Sequence, residues 1–339
     1  MVEHFGKLEN GTPVSLYTIK GFGLTAKLCP YGATLVRLFV PDRDGHSEDV
    51  VVGYKDVAAY EQDWMNIGAT VGRCANRIKG GTFSLNGKTV TLAQNNMGNS
   101  LHSGPDFYSH RLWEVTDHRE DAITFFLDSP DGDQGFPGRA QIWVTYKLTE
   151  PGAVEISYKA TSDQDTVMNL THHSCFNLRG HQHSEQALEQ VLMIPADTFL
   201  PCDETFVPTG ELWSVENTPM DFRTPKPIGQ DIEADYIPLK LPRGYDHSYV
   251  NRQALCAVLS DPLSGRCLQV FTDLPAVHLY SGNFIDIDGK DGVHYCDRGG
   301  IALETQYYPD AVHHPQWPQP VLKAGNIWES KTVFCFRCI

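Results

Sequence analysis

The chain has no run approaching the 18 apolar residues of a membrane-spanning helix. Its N-terminus lacks a basic segment followed by an apolar one, so no signal peptide is read there and a cytoplasmic setting is expected. Positive charge is scarce: the formal net charge is -15. A deficit of that size disfavours nucleic acid or an anionic membrane as a partner, because both need a basic footprint. The nine cysteines are an odd number without framework spacing, which reads as reduced thiols. Cys335 and Cys338 have CxxC spacing, but they have no second pair and lie in an alternating apolar run. Helical windows are few, and residues 184–192 form the best of them. There is no P-loop, dinucleotide fingerprint, HExxH or GxSxG, which removes the common nucleotide, zinc and serine-hydrolase chemistries. The segment from Asp131 through Asp133 to Gly135 opens like a calcium loop. It lacks the later acidic ligands and bidentate Glu, so a Gly-rich turn is expected.

What is present is β-structure. The 339 residues are 41% hydrophobic and 20% charged, the balance of a globular protein with ample core. Residues 12–40 largely alternate apolar and polar positions between glycines. Residues 41–45 form a turn, and Val50, Val51 and Val52 are expected to resume extended structure. Around Asn86-Gly87 two alternating runs predict a type I′ hairpin over residues 82–92. Alternation continues through residues 112–115, 123–127, 142–148 and 154–158. No repeat and no linker interrupts it. One all-β domain over residues 1–339 follows, a large antiparallel β-sandwich with very few short helices.

Several polar stretches stand out against this pattern. His172 and His173 are adjacent in a strand-like setting, so only one of them can face a given pocket. An imidazole that titrates near neutrality can give and take a proton there. Glu304 lies in an apolar strand over residues 299–306, and a buried carboxylate needs a donor, a ligand or a raised pKa. Arg77 offers a planar fork of donors and Asn76 both donates and accepts. His102 sits beside small residues. Asp246 ends a Pro-rich loop over residues 201–243, whose length suggests function. Tyr280 or Phe284 could stack on the C–H face of a sugar ring. Plainer readings stand beside these: a surface ion pair for Arg77, a turn cap for Asp246, core packing for the aromatics, a solvent-facing strand position for Glu304.

In their order along the chain, these stretches resemble the aldose 1-epimerases, or galactose mutarotases. The resemblance runs through residues 31–34, 72–78, 101–104, 131–138, 171–178, 222–223, 244–247, 280–284, 303–306 and 309–311. It implies a galactose mutarotase-like supersandwich, an isomerase interconverting the anomers of a neutral aldohexose such as galactose or glucose, and no metal or organic cofactor. It also implies Glu304 as general base and His173 as general acid. Asn76, Arg77, His102 and Asp246 would hold the sugar, with His278 and Phe284 beside them. The chain departs from the family pattern at His172, usually Asn, at Cys175, usually Tyr, at Ser103, commonly Gly, and at His278, frequently Gln. A small neutral sugar is the expected partner of a monomer or homodimer. A carbohydrate-binding or sugar-sensing protein, or a two-carboxylate glycoside hydrolase, are the alternatives.

Overall fold

The computed structural model describes residues 1–339. Buried positions alternate with less buried ones throughout Ala140–Thr149 and most of Ala153–Ser162, so each strand has one face to hide. These two strands lie inside a nine-stranded sheet. Its order is Glu114–His118, Ala122–Ser129, Ala140–Thr149, Ala153–Ser162, Ile327–Cys338, Arg266–Thr272, Leu255–Ser260, Val191–Met193 and Lys226–Pro227. A five-stranded sheet runs Val2–Lys7, Pro13–Gly21, Leu24–Cys29, Thr34–Pro41 and Ser47–Asp49. A six-stranded sheet has the order Cys175–Phe176, Ile301–Gln306, Ala276–Tyr280, Asp246–Val250, Thr198–Phe199 and Trp213–Ser214. Every pairing within these sheets is antiparallel.

The sheets hide their apolar faces against one another. A core of 54 buried residues takes Ile19 and Leu28 from the five-stranded sheet, Phe125 and Val144 from the nine-stranded one, and Val277 and Leu303 from the six-stranded one. The α-helices are Val57–Glu61 and Ile237–Lys240. The hairpin forms with Thr82–Leu85 paired to Lys88–Thr91, and Asn86 and Gly87 both have positive φ, 51° and 74°. That is the type I′ geometry.

Two local expectations need correction and a third holds. Ser184–Glu189 winds as a 3-10 helix, while Val191–Met193 joins the nine-stranded sheet against Leu255–Ser260. So short a window does not nucleate an α-helix when a sheet competes for its end. The valines follow the paired strand Ser47–Asp49 and are extended as expected, with Val51 bridged antiparallel to Phe176. Val50 and Val52 pass fully buried between two sheets, their N–H groups donating to the carbonyls of Leu38 and Cys175 at 2.9 Å. Residues 201–243 are not a bare loop: they contain Trp213–Ser214, Lys226–Pro227 and Ile237–Lys240, and they bury Val207, Val215, Met220 and Phe222.

The segment 131–138 is a turn anchored by arginines. Asp133 accepts from Arg111 through both oxygens, at 2.6 and 2.8 Å, and buried Arg73 donates to the carbonyls of Pro137 and Gly138 at 3.1 and 2.9 Å.

Candidate active site

The six-stranded sheet sets out part of the site by register alone. Ser248 stands opposite His278, and His278 opposite Glu304. Directly opposed residues share a face of the sheet, and Asp246, two residues before Ser248, shares it too. His173 comes from a neighbouring segment just after Thr171–His172, which pairs with Thr70–Val71. Backbone bonds to Gly68 and Ala69, at 2.8 and 2.9 Å, pin His173 on both sides. Its Nε2 lies 3.5 Å from Glu304 Oε1. His172 turns the other way, edge-on to the core ring of Tyr146 at 5.5 Å, and neither of its ring nitrogens has a partner.

A third element completes the walls. Arg77–Ile78 pairs with Ser100–Leu101. Beyond that pair the Asn76 carbonyl accepts from the His102 amide at 2.9 Å, and the Asn76 amide donates to His102 Nδ1 at 3.1 Å. A ring that accepts at Nδ1 and is neutral carries its hydrogen on Nε2, which faces no protein acceptor. Arg77 spends Nε on Asn96 at 3.3 Å and lies 5.1 Å over the Phe206 ring. Its Nη groups make no protein hydrogen bond and remain free to donate.

These side chains surround a cavity of about 490 Å³, within the usual range for a small-molecule site. Glu304, His173, Asn76, Arg77, His102, Asp246, His278 and Phe284 all line it. Trp64, Asn95, Phe107 and Phe206, which no motif singled out, line it too. The Trp64 stretch is shaped by buried Asp63, which accepts from the amides of Met65 and Ile67 at 2.8 and 2.6 Å and from the Tyr54 hydroxyl at 2.9 Å. An Asp bonding the amide two residues on is an Asx turn, the one readable signal in that stretch.

Burial governs the charges in the cavity. Glu304 is only 2% exposed and its Oε2 has no partner. Burial pushes its carboxyl up to about 7, with the nearby His278 opposing and Asp246 adding to the rise. Burial also lowers His173 below its ordinary 6.5, and Asp63 and Asp246 compensate only in part. Desolvation therefore outweighs the neighbouring negative charges at His173, and of the two groups the carboxyl takes its proton first. Burial depresses His102 strongly, helped by the cationic character of His173 and Arg77. Asp246 behaves oppositely. Burial would raise it, but the bond from the His278 ring at 2.6 Å and the charge of Arg77 overcome that and hold it ionised.

The sole cluster with metal-ligand spacing is Asp42, Asp44 and His46, on a turn outside this cavity. The chemistry available inside the cavity is proton exchange between a carboxyl and an imidazole, beside hydrogen-bonding groups and aromatic faces.

A supersandwich of antiparallel sheets with such a pair in a polar, aromatic-walled hollow is the architecture of the galactose mutarotase-like isomerases. Residues 15–335 match the model of the aldose 1-epimerase family. Galactose mutarotase from Sus scrofa is 39% identical over 98% of this chain and 97% of its own length. Aldose 1-epimerase from Escherichia coli K12 is 35% identical over 96% of each chain. The crystal structure of an aldose epimerase homologue from C. elegans superposes with a TM-score of 0.89 at 34% identity, covering 96% of this chain and 99% of that one. The chain belongs to the aldose 1-epimerase family.

Proposed function

We propose that this isomerase interconverts the α and β anomers of a neutral aldohexose such as galactose or glucose, with Glu304 as base and His173 as acid. The observation that carries the assignment is the Glu304–His173 pair, 3.5 Å apart in the cavity. Opening the ring requires taking the proton of the anomeric hydroxyl and giving one to the ring oxygen. A pair sharing one proton suffices, and carboxylate with imidazolium holds the same single proton as the neutral pair that burial favours. The C1–O5 bond breaks, the open-chain aldehyde turns about C1–C2, and closure on the other face reverses both transfers. No bond to the protein forms, so no nucleophile is needed.

Proton transfer of this kind contributes roughly 10² to 10⁴-fold, and positioning supplies part of the remainder. Asn76, the Nη groups of Arg77, Nε2 of His102 and the second oxygen of Asp246 are the polar contacts assigned to the sugar. Phe284 and the other aromatic side chains of the wall suit its C–H faces. The same reading makes the protein a cytoplasmic monomer or homodimer acting as one domain, a setting that the nine free cysteines support.

Polarimetry on freshly dissolved α-galactose and α-glucose, with the spontaneous rate subtracted, tests the assignment. Acceleration of the drift in rotation is expected. Sugar binding without acceleration would make the protein a sensor instead, and release of a reducing end from a disaccharide would make it a hydrolase.

A further inference from the structure

Ser248, His278 and Glu304 form a row across three neighbouring strands, and the middle member has no part in the proton transfers just described. His278 is buried with both ring nitrogens engaged. Nε2 lies 2.6 Å from Asp246 Oδ1, and Nδ1 lies 2.9 Å from Ser248 Oγ. Ser248 Oγ also accepts from Gln306 Nε2 at 3.4 Å. A serine that accepts from Gln306 keeps its own hydrogen for Nδ1, so the neutral ring donates from Nε2 to Asp246. When the ring takes a second proton, Ser248 needs only to rotate its hydroxyl, and both nitrogens donate. His278 is therefore bonded in either charge state.

Resting on the assignment of Glu304 as base, we propose that His278 is a positioning residue for anomerisation. It fixes Asp246 by one oxygen, leaving the other for a sugar hydroxyl, and from across the strand it favours the carboxylate form of Glu304. Directly opposed side chains of an antiparallel pair have Cβ atoms about 4.5 to 5.5 Å apart, close enough for a cation on one to act on the other. The remaining titratable or charged groups around the ring are Asp246 and His247 from the adjoining strand, His173 beside Glu304, Tyr280 on its own strand, and Arg77 and His102 across the cavity. The effect on Glu304 is in the direction stated, since His278 works against the rise that burial imposes there.

His278→Gln keeps a donor for Asp246 and removes the charge. Without that charge Glu304 holds its proton more tightly, so fewer of the one-proton pairs carry the proton on His173. The plateau of kcat/KM should fall about tenfold for each unit by which Glu304 rises, and the basic limb of the pH profile should move up by the same unit. Loss of packing or of a sugar contact would lower the plateau and leave the limb where it was. An unmoved limb in an active His278→Gln enzyme overturns the proposal. Nitrogen-15 NMR of the wild-type histidine rings gives a reading that does not depend on the variant folding. A His278 ring that is neutral throughout the active pH range overturns the proposal as well. Absence of any polarimetric rate in the wild type would instead overturn the assignment of function itself.

Discussion

Glu304 shows what one residue gives up for its task. Its carboxyl, about 7 in the folded protein against an ordinary 4.5, holds a proton more tightly folded than unfolded. Stability from this group is therefore gained as pH falls from about 7 toward 4.5 and lost as pH rises through 7. At pH 8 the buried carboxylate costs up to roughly 3 kcal/mol, a penalty that Glu304→Gln removes. That variant should lose at least about 10²-fold in anomerisation rate, because the amide keeps the shape and has no basic oxygen. It should also melt higher than wild type at pH 8, with the gain vanishing near pH 4. Polarimetry and thermal melts at both pH values check this pair of outcomes. A variant retaining half the rate, or a melting shift independent of pH, contradicts it.

The neighbouring histidines separate by direction. His173→Asn should cripple turnover, while His172→Asn should leave most of it, since His172 faces Tyr146 and the core. Equal losses would show that both imidazoles work. The pH profile of kcat/KM belongs to the pair as a whole. Its basic limb is expected near 7, where the last proton leaves, and its acid limb below 6.5, where His173 takes a second one. A basic limb well above 7 would mean that the ion pair outweighs burial after all. Which residues stand here was legible from the motif around His173 and from Glu304 in its apolar strand. Their protonation was not, because burial is made by residues hundreds of positions away.

Among the elements, the two sides of a hairpin are written next to each other and long-range joints are not. Asn86-Gly87 between alternating runs announced its turn. Nothing local announced that Lys290 would lie fully buried, its Nζ 2.6 Å from Asp49 and 2.7 Å from the Val36 carbonyl. This joint ties the five-stranded sheet to the chain that follows Ala276–Tyr280. Asp49 also accepts from the Leu38 and Val51 amides at 3.0 and 3.3 Å. Lys290→Met leaves that carboxylate buried with only Arg37 at 3.3 Å as a counter-charge. Breaking a buried pair from one side costs about 3 to 5 kcal/mol. Urea denaturation should show a loss of that size, with turnover per folded molecule kept, because Lys290 does not line the cavity. A loss under 1 kcal/mol would mean that water reaches the charge left behind. The 201–243 segment and the Trp64 turn were missed for a related reason: each is set by apolar packing or by one buried carboxylate, and neither leaves a periodic trace.

Over the whole molecule, buried histidines decide how the fold responds to acid. Burial lowers His102, His172, His173, His181, His247 and His314. Hydrogen bonds to Asp288 and Asp310 raise only His294 and His313. Lowered groups are neutral when folded and take up protons near 6.5 when unfolded, so they favour the native state above that value and the unfolded state below it. Glu304 and Asp63, both raised chiefly by burial, work in the opposite sense, but they are fewer. Stability should therefore peak near neutrality and fall as pH drops below about 6.5. His172 isolates the effect: it is held at about 3, has no hydrogen-bond partner, and lies outside the cavity. Its part of the loss should accumulate at about 1.4 kcal/mol per pH unit below 6.5 and end as pH nears 3. His172→Asn puts an uncharged group in its place and removes that slope. Urea curves for wild type and variant should diverge by about half that amount from pH 7 to 6 and by nearly all of it from pH 6 to 5, the variant holding better in acid. Curves that run parallel across that range would mean that His172 is protonated in the folded state, or that its burial relaxes before the rest of the fold gives way.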